Sequence, residues 1–547
     1  MVKKITETKK ERVYLYDSTL RDGAQTSTVN FSVRDKREIA LMLDSLGIDY
    51  IEGGWPGANP TDDEFFANLP RLKNSHFTAF GMTRRPSSST KNDPGLNALI
   101  NSDVKSVCIV GKAWDFHLVH ALGISEEENL QMIGESIAHI KKSKKEPIFD
   151  AEHFFDGYKA NPKFAMKVAE MAYKNGARWV VLCDTNGGTL PSEIAKIVKE
   201  VTKKIPGKNL GIHCHNDTGN AVANSIAAVE AGVRQVQGTI NGLGERCGNA
   251  NLTSVIPILM LKMPAPFKNY DVGISELQLK NLIKVSHFLD DLLCKPRDRF
   301  APFVGEFAFA HKGGLHVSAI AKNPKSYEHI EPELVGNKRK IMISDQAGRS
   351  NIISRLKEIG LSEEGNDIKH SQISDLVNKV KELEAQGYAY DGADASFELL
   401  AKRFLTVVPS YFELVSFRIL DERKNNSKNI SKLNSEATIK IKITNKTGYK
   451  TVMSVAEGNG PVNAMDKALR KALSRKYPVL KTVSLSDYKV RILTPSDGTE
   501  AITRVQIESM DNKGNKWSTI GVSANIVDAS YRAIYDSITF KLMKDKL

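Results

Sequence analysis

The chain is poor in cysteine and has no long apolar run, and both shortages exclude whole classes of protein. Its five cysteines, Cys108, Cys183, Cys214, Cys247 and Cys294, are an odd number with no CxxC pair. That argues against a disulfide framework and against a thiolate zinc site, so most of them read as small buried apolar residues. No stretch approaches the roughly 18 uninterrupted apolar residues of a membrane span. The N-terminus, MVKKITETKKER, is basic but lacks an apolar segment and a small-residue cleavage site, so no secretory signal is expected and a cytoplasmic address is. Zinc-finger and RRM signatures are missing, as is a basic stripe interleaved with aromatics. The net charge of +13 therefore needs another reading: residues 405–547 hold 24 Lys+Arg against 14 Asp+Glu. A solvated basic surface there outweighs a nucleic-acid site.

What remains is a chain of 547 residues, 41% apolar and 26% charged, average for a soluble globular protein but too long for one core. We divide it into a tail (1–11), a first domain (12–290), a connecting region (291–404) and a last domain (405–547). In the first domain, short β-rich runs recur near 13–17, 49–54, 76–81, 105–111, 147–153, 178–184, 209–214 and 233–240. Amphipathic patterns separate them, such as the helix opened by Ser32 and closed by Gly47, and the one opened by Pro191. Eight βα units predict a (β/α)8 barrel of the TIM type, with its chemistry at the C-terminal strand ends. In the connecting region Ile373, Leu376, Val377, Val380 and Leu383 share one helical face. The polar stretch near 421–436 reads as a loop. The last domain carries a weak repeat that predicts two βββα units, an α+β module separate from the barrel.

The strongest local signal is HCHND, at the end of the seventh strand. Residues two apart on a strand point the same way, so His213 and His215 can grip one cation, or else serve as hydrogen-bonded structural histidines. DSTLRDGAQ puts Arg21, Asp22 and Gln25 on the same rim after the first strand. Read as more than a charged turn, it offers a carboxylate ligand in Asp22 and a guanidinium in Arg21 for an oxyanion. NGLGERCGNANL follows the eighth strand, with Gly242, Gly244 and Gly248 for a tight turn and Asn249 as a neutral oxygen donor. Two imidazoles, a carboxylate and an amide make a mixed N/O site, suited to Mn, Mg, Zn or Co. Glu152 and Thr185 end the fifth and sixth strands: either can cap the next helix, and Glu152 is also placed for acid/base work. Glu52, after the second strand, is a weaker candidate of that kind.

DSTLRDGAQ, HCHNDTGNAVANS, NGLGERCGNA and FAHKGGLHVSAI together resemble the acyl-CoA-condensing family of 2-isopropylmalate, homocitrate and citramalate synthases. EGGWPGANPTDDEFF, CDTNGGTLP and SDQAGRSNI are most similar to its citramalate branch. The resemblance implies an acyltransferase that joins acetyl-CoA to a small 2-oxo acid. It assigns Asp22, His213 and His215 as ligands of a divalent metal ion, with Asn249 completing or bordering the set. It gives Arg21 the 2-oxo group and Thr185 the substrate carboxylate, with Gln25 beside them. Glu152, His316 and Tyr327 become catalytic, the last two from a region that a neighbouring subunit contributes in relatives, which implies a homodimer. HVS stands where relatives commonly carry HQD or HAD, so Ser318 replaces an acidic residue. The last domain resembles a regulatory module that binds an end-product amino acid, with isoleucine expected. Its junctions EGNGPVNA and GVSANIVDA offer Gly458, Asn459, Gly460 and Ala524 at helix N-termini, and the other reading is a dimerisation module without a ligand. A hydroxyacyl-CoA lyase and a silent amino-acid sensor are the remaining alternatives. The extra residues after the barrel disfavour the first, and the joint presence of Arg21, Asp22, His213, His215 and Asn249 disfavours the second.

Overall fold

Eight parallel strands close on themselves where the sequence places them. The computed structural model describes residues 11–263, 270–342, 349–361, 368, 370–406, 408–423, 433–445 and 448–546. Most of the predicted tail, the polar run 424–432 and part of SDQAGRSNI lie outside the described residues. The barrel strands are β1 (Tyr14–Asp17), β2 (Tyr50–Gly54), β3 (His76–Met82), β4 (Ser106–Lys112), β5 (Glu146–Glu152), β6 (Trp179–Asp184), β7 (Leu210–Cys214) and β8 (Gln235–Gly238). Closure is set by β1, which pairs with β2 through Tyr16 and Tyr50 and with β8 through Tyr14 and Gln235.

Strand alternation sorts side chains into two layers. Outward residues such as Leu15, Ile51 and Val180 pack under the helices. Inward residues fill the barrel with Tyr16, Tyr50, Phe80, Ile148 and Trp179. Trp179 is fully buried, donates its indole N–H to Tyr50 Oη at 3.0 Å, and has Arg178 over its ring at 3.7 Å. Toward the C-terminal strand ends the interior turns polar, with Glu52, Asp150, His213 and Gln237 all buried. Buried charge and amides are costly unless paired, so this layer is where function is to be sought.

Local signals set the helices. Ser32 caps the helix Val33–Leu46 in a reciprocal box with Asp35, and Gly47, at φ 97°, ends it. Pro191 opens the helix Pro191–Thr202.

Residues 310–329 and 339–547 form a second unit. The predicted apolar face lies on the helix His370–Ala385, where Ile373, Leu376 and Val380 are buried. Two antiparallel sheets follow: Phe412–Arg423, Leu433–Asn445 and Gly448–Gly458, then Ser484–Ile492, Thr503–Met510 and Lys516–Ser523. The helices Pro461–Leu473 and Ile526–Lys544 complete two βββα units. One expectation is corrected: the supposed loop 421–436 is strand through Arg423 and again from Leu433. These pairs, such as Leu420 with Glu436 and Asp421 with Ser435, are solvated on one face, so their composition looks like a loop's. Among the described residues no helix is long and apolar enough to cross a membrane.

Candidate metal centre and active site

His213 on β7 and His215 just beyond it point to the same side, and their Nε2 atoms lie 3.3 Å apart. Asp22, in the turn after β1, brings Oδ2 to 3.6 Å from the first and 3.9 Å from the second. All three side chains are buried. Asn249 reaches them because residues 242–249 fold back: it forms a β-bridge with His215, and its Nδ2 donates to Asp22 Oδ1 at 3.0 Å and to the Leu243 carbonyl. Gly244 and Gly248 make the turn possible. Both have positive φ, and a Cβ would sit 2.2 Å from Asn249 Nδ2 at Gly244 and 1.9 Å from the Gly242 oxygen at Gly248.

These residues fit a divalent cation. Ligands about 2.0–2.1 Å from one ion at ordinary angles lie about 3.0–3.4 Å apart, which matches the imidazole spacing. Asn249 Oδ1 is buried without a hydrogen-bond partner among the described residues, an orphan that a cation would satisfy. His213 Nδ1 lies 2.9 Å from Gln237 Oε1, and Gln237 Nε2 donates to Asp150 Oδ1 at 3.1 Å. A carboxylate therefore fixes the amide, whose oxygen accepts a hydrogen bond from the His213 Nδ1–H and leaves Nε2 turned toward Asp22. Burial pushes Asp22 up, but Arg21, His213 and His215 outweigh it and hold the carboxyl at about 2. Burial and the neighbouring His213 bring His215 down to about 4. The cluster thus offers an anion and a neutral imidazole, as a metal requires.

Arg21 is held from three sides. Its Nε donates to Glu52 Oε2 at 2.8 Å, its Nη1 to Asp22 Oδ2 at 3.1 Å, and its guanidinium lies 3.9 Å from the Phe80 ring centre. Glu52, fully buried on β2, also accepts from Tyr16 Oη at 2.7 Å and from Ser18 Oγ. Its carboxylate is spent on three donors, so Glu52 braces Arg21 instead of exchanging protons with a substrate.

A cavity of about 310 Å³ gathers Arg21, Asp22, Gln25, Glu152, Thr185, His213 and His215. Trp55, Phe80, Met82 and Val110 form its apolar side. Glu152 is salt-bridged to Lys112, its register partner on β4. Thr185 Oγ1 accepts from the His153 amide at 2.8 Å, and its carbonyl accepts from Arg246, which also grips Asp217. Gln25 is exposed at the rim. His316 and Tyr327 belong to the second unit, where their rings stack with centres 4.1 Å apart. Gly458 ends a strand so close to the next helix that a Cβ would meet the Ala464 amide nitrogen at 2.4 Å. Asn459 donates its amide to Asn463 Oδ1, Gly460 precedes the helix Pro461–Leu473, and Ala524 is exposed before the helix Ile526–Lys544. Sequence reasoning missed Lys112, Asp150 and Gln237. Their signal was a polar residue on the inward alternation of a barrel strand, visible only once register is known.

A closed barrel with an Asp-His-His cluster at its strand ends defines an HMGL-like protein, and the HMGL-like family model matches residues 12–288. The homocitrate synthase post-HMGL domain-like model matches 303–388, and the LeuA allosteric (dimerisation) domain matches 391–542. The (R)-citramalate synthase of Aquifex aeolicus is 51% identical, covering 98% of this chain and 99% of that one. That of Geobacter sulfurreducens is 49% identical, covering 98% of each. The 2-isopropylmalate synthase of Methanocaldococcus jannaschii is 32% identical, covering 98% and 95%. The chain belongs to the (R)-citramalate synthase family.

Proposed function

We propose that the chain is an (R)-citramalate synthase that joins the methyl carbon of acetyl-CoA to C2 of pyruvate and hydrolyses the thioester, releasing citramalate and CoA. The observation that carries this reading is the buried Asp22, His213 and His215 cluster with Arg21 braced against it. Asp22, His213, His215 and Asn249 would hold the ion, Mn, Mg, Zn or Co. When bound, a divalent cation polarises a 2-oxo group as a Lewis acid.

The chain's own residues do the rest. Arg21 presents its guanidinium where the ketone oxygen gains charge, and a preorganised donor of that kind is worth roughly 3–4 kcal/mol. Thr185 receives the substrate carboxylate. Glu152, beside Lys112, or His316 removes a methyl proton from acetyl-CoA, and the new carbanion bonds to C2. Proton return to the C2 oxygen and attack of water on the thioester carbonyl follow, with CoA leaving as the thiol. His316 and Tyr327 act from a second copy of the chain, so the enzyme is a homodimer. Isoleucine is the feedback inhibitor, bound at the junctions of Gly458, Asn459, Gly460 and Ala524. The five free thiols suit a cytoplasmic enzyme.

Free-thiol release with acetyl-CoA and a panel of 2-oxo acids tests the acceptor. Pyruvate should be turned over fastest. A preference for a branched 2-oxo acid or for 2-oxoglutarate would replace this reading with a 2-isopropylmalate or homocitrate synthase.

A further inference from the structure

Lys112 stands where two cavities of the barrel mouth meet. The cavity of about 310 Å³ beside the Asp-His-His cluster and a larger one of about 460 Å³ share four wall residues, Trp55, Met82, Val110 and Lys112. Of these only Lys112 is charged. It ends β4 on the inward alternation that runs through Cys108 and Val110, opposite its register partner Glu152 at the end of β5. The Lys112 carbonyl accepts from the buried Asn129 Nδ2 at 3.0 Å, and the Ala113 amide donates to the Glu152 carbonyl at 3.0 Å. The ammonium is thus carried by a tied strand end, which positions a group more precisely than a loop does.

Among the described residues, three Lys or Arg side chains line the smaller cavity: Arg21, Lys112 and Arg246. Arg21 is braced by Glu52 and Asp22 for the ketone oxygen, and Arg246 is bound to Asp217 and the Thr185 carbonyl. Lys112 carries three N–H donors, and Glu152 Oε2 accepts from it. Donors remain for a ligand, beside the apolar surfaces of Trp55, Met82 and Val110, where a charge acts more strongly than in water.

The reaction makes two oxyanions, and Arg21 meets only the one at C2. Loss of a methyl proton from the thioester comes earlier and puts charge on the thioester oxygen. We propose that Lys112 is a catalytic residue that holds this oxygen at the junction of the two cavities while Glu152 takes the proton. The assignment rests on the condensation proposed above. A methyl C–H bond breaks, the proton goes to a Glu152 carboxylate oxygen, and the C–H electron pair forms the C–C double bond of the enolate as the carbonyl pair moves to oxygen. Negative charge passes from Glu152 to the thioester oxygen, with one ammonium beside both. Lys112 keeps its protons, and no uncompensated charge arises in the mouth of the barrel. When the enolate carbon bonds to C2, the thioester carbonyl re-forms and the charge moves on to the C2 oxygen.

Lys112→Met, Lys112→Gln and Lys112→Arg are compared with wild type, each loaded with Mn(II), by free-thiol release from pyruvate and acetyl-CoA or its trideuteriomethyl form. Loss of one preorganised donor should lower kcat of Lys112→Met about 10²- to 10³-fold. The isotope effect on kcat should rise as enolate formation becomes the slow step, and Lys112→Arg should regain activity over the methionine variant. Mn(II) affinity by calorimetry and the KM for pyruvate should stay at wild-type levels, which a damaged fold would not allow. Should methionine cost the fold, seen as lost Mn(II) binding, Lys112→Gln carries the same readouts with a neutral donor. Wild-type kcat in a folded methionine or glutamine variant would overturn this role. So would a lower kcat with an unchanged isotope effect and a raised KM for pyruvate, which would place Lys112 on the acceptor. Both results leave the condensation standing, whereas a wild-type chain that releases no thiol with any 2-oxo acid would remove the condensation and the role of Lys112 together.

Discussion

Gln237 decides which way His213 faces, since its amide stands between that ring and Asp150. Gln237→Leu should lower Mn(II) affinity roughly 10- to 100-fold, the usual cost of losing a group that orients a metal-binding histidine. A calorimetric titration checks this, and unchanged affinity would remove Gln237 from the account. Glu52 has the corresponding role for Arg21. Glu52→Gln should cut kcat by roughly 10²- to 10³-fold while leaving Mn(II) binding nearly intact, a split that a merely destabilised protein would not give. At the barrel's other end, burial and Lys105 bring His76 down to about 4, from 6.5. The neutral ring is the form the fold favours, so this stability is present above pH 6.5 and is lost as pH falls toward 4. Relative to wild type, His76→Gln should therefore lose less stability over that window, as read by denaturant midpoints at several pH values. Parallel pH profiles would contradict the assignment. Histidines two apart and an Arg-Asp pair were visible in the sequence because their spacing carries the chemistry. Glu52, Gln237 and Asp150 were poorly visible, because only closure of the sheet shows which side of each strand faces inward.

The turn 242–249 is the element on which Asn249 depends. Gly248→Ala would place a methyl 1.9 Å from the Gly242 oxygen at a φ of 87°, so the backbone must move and draw Asn249 away from Asp22. The expected outcome is a lower thermal midpoint together with weaker Mn(II) binding. A variant unchanged in both would show that the turn does not carry the ligand. At the rim of the first helix, Ser32→Ala should cost about 1 kcal/mol through loss of its capping box, measurable by urea denaturation with activity retained. Barrel strands and capped helices were legible in sequence since alternation, glycine stops and proline starts act locally. The strand Phe412–Arg423 was not. Its pairing with Leu433–Asn445 spans a polar run, a bulge falls between Leu414 and Ser416, and one face is open to water. Only long-range pairing distinguishes such a strand from a loop.

Three family matches in tandem, 12–288, 303–388 and 391–542, describe a chain in which reaction and regulation are carried by different folds. The barrel holds the cavity with Arg21, Asp22, Glu152, Thr185 and the two histidines. The two βββα units repeat one local pattern, which made them readable as a separate module, whereas the roles proposed for His316 and Tyr327 depend on assembly with a second copy, which no local pattern encodes. In the proposed reaction one buried N/O cluster binds a cation, and condensation requires it. The direct measurement is free-thiol release from acetyl-CoA and pyruvate by chelator-dialysed wild type and His213→Ala, each titrated with Mn(II) while binding is followed by calorimetry. One ion should bind per wild-type chain, with activity rising in step with occupancy, and His213→Ala should show neither tight binding nor turnover. Full turnover by the metal-stripped wild type, or by His213→Ala, would contradict it.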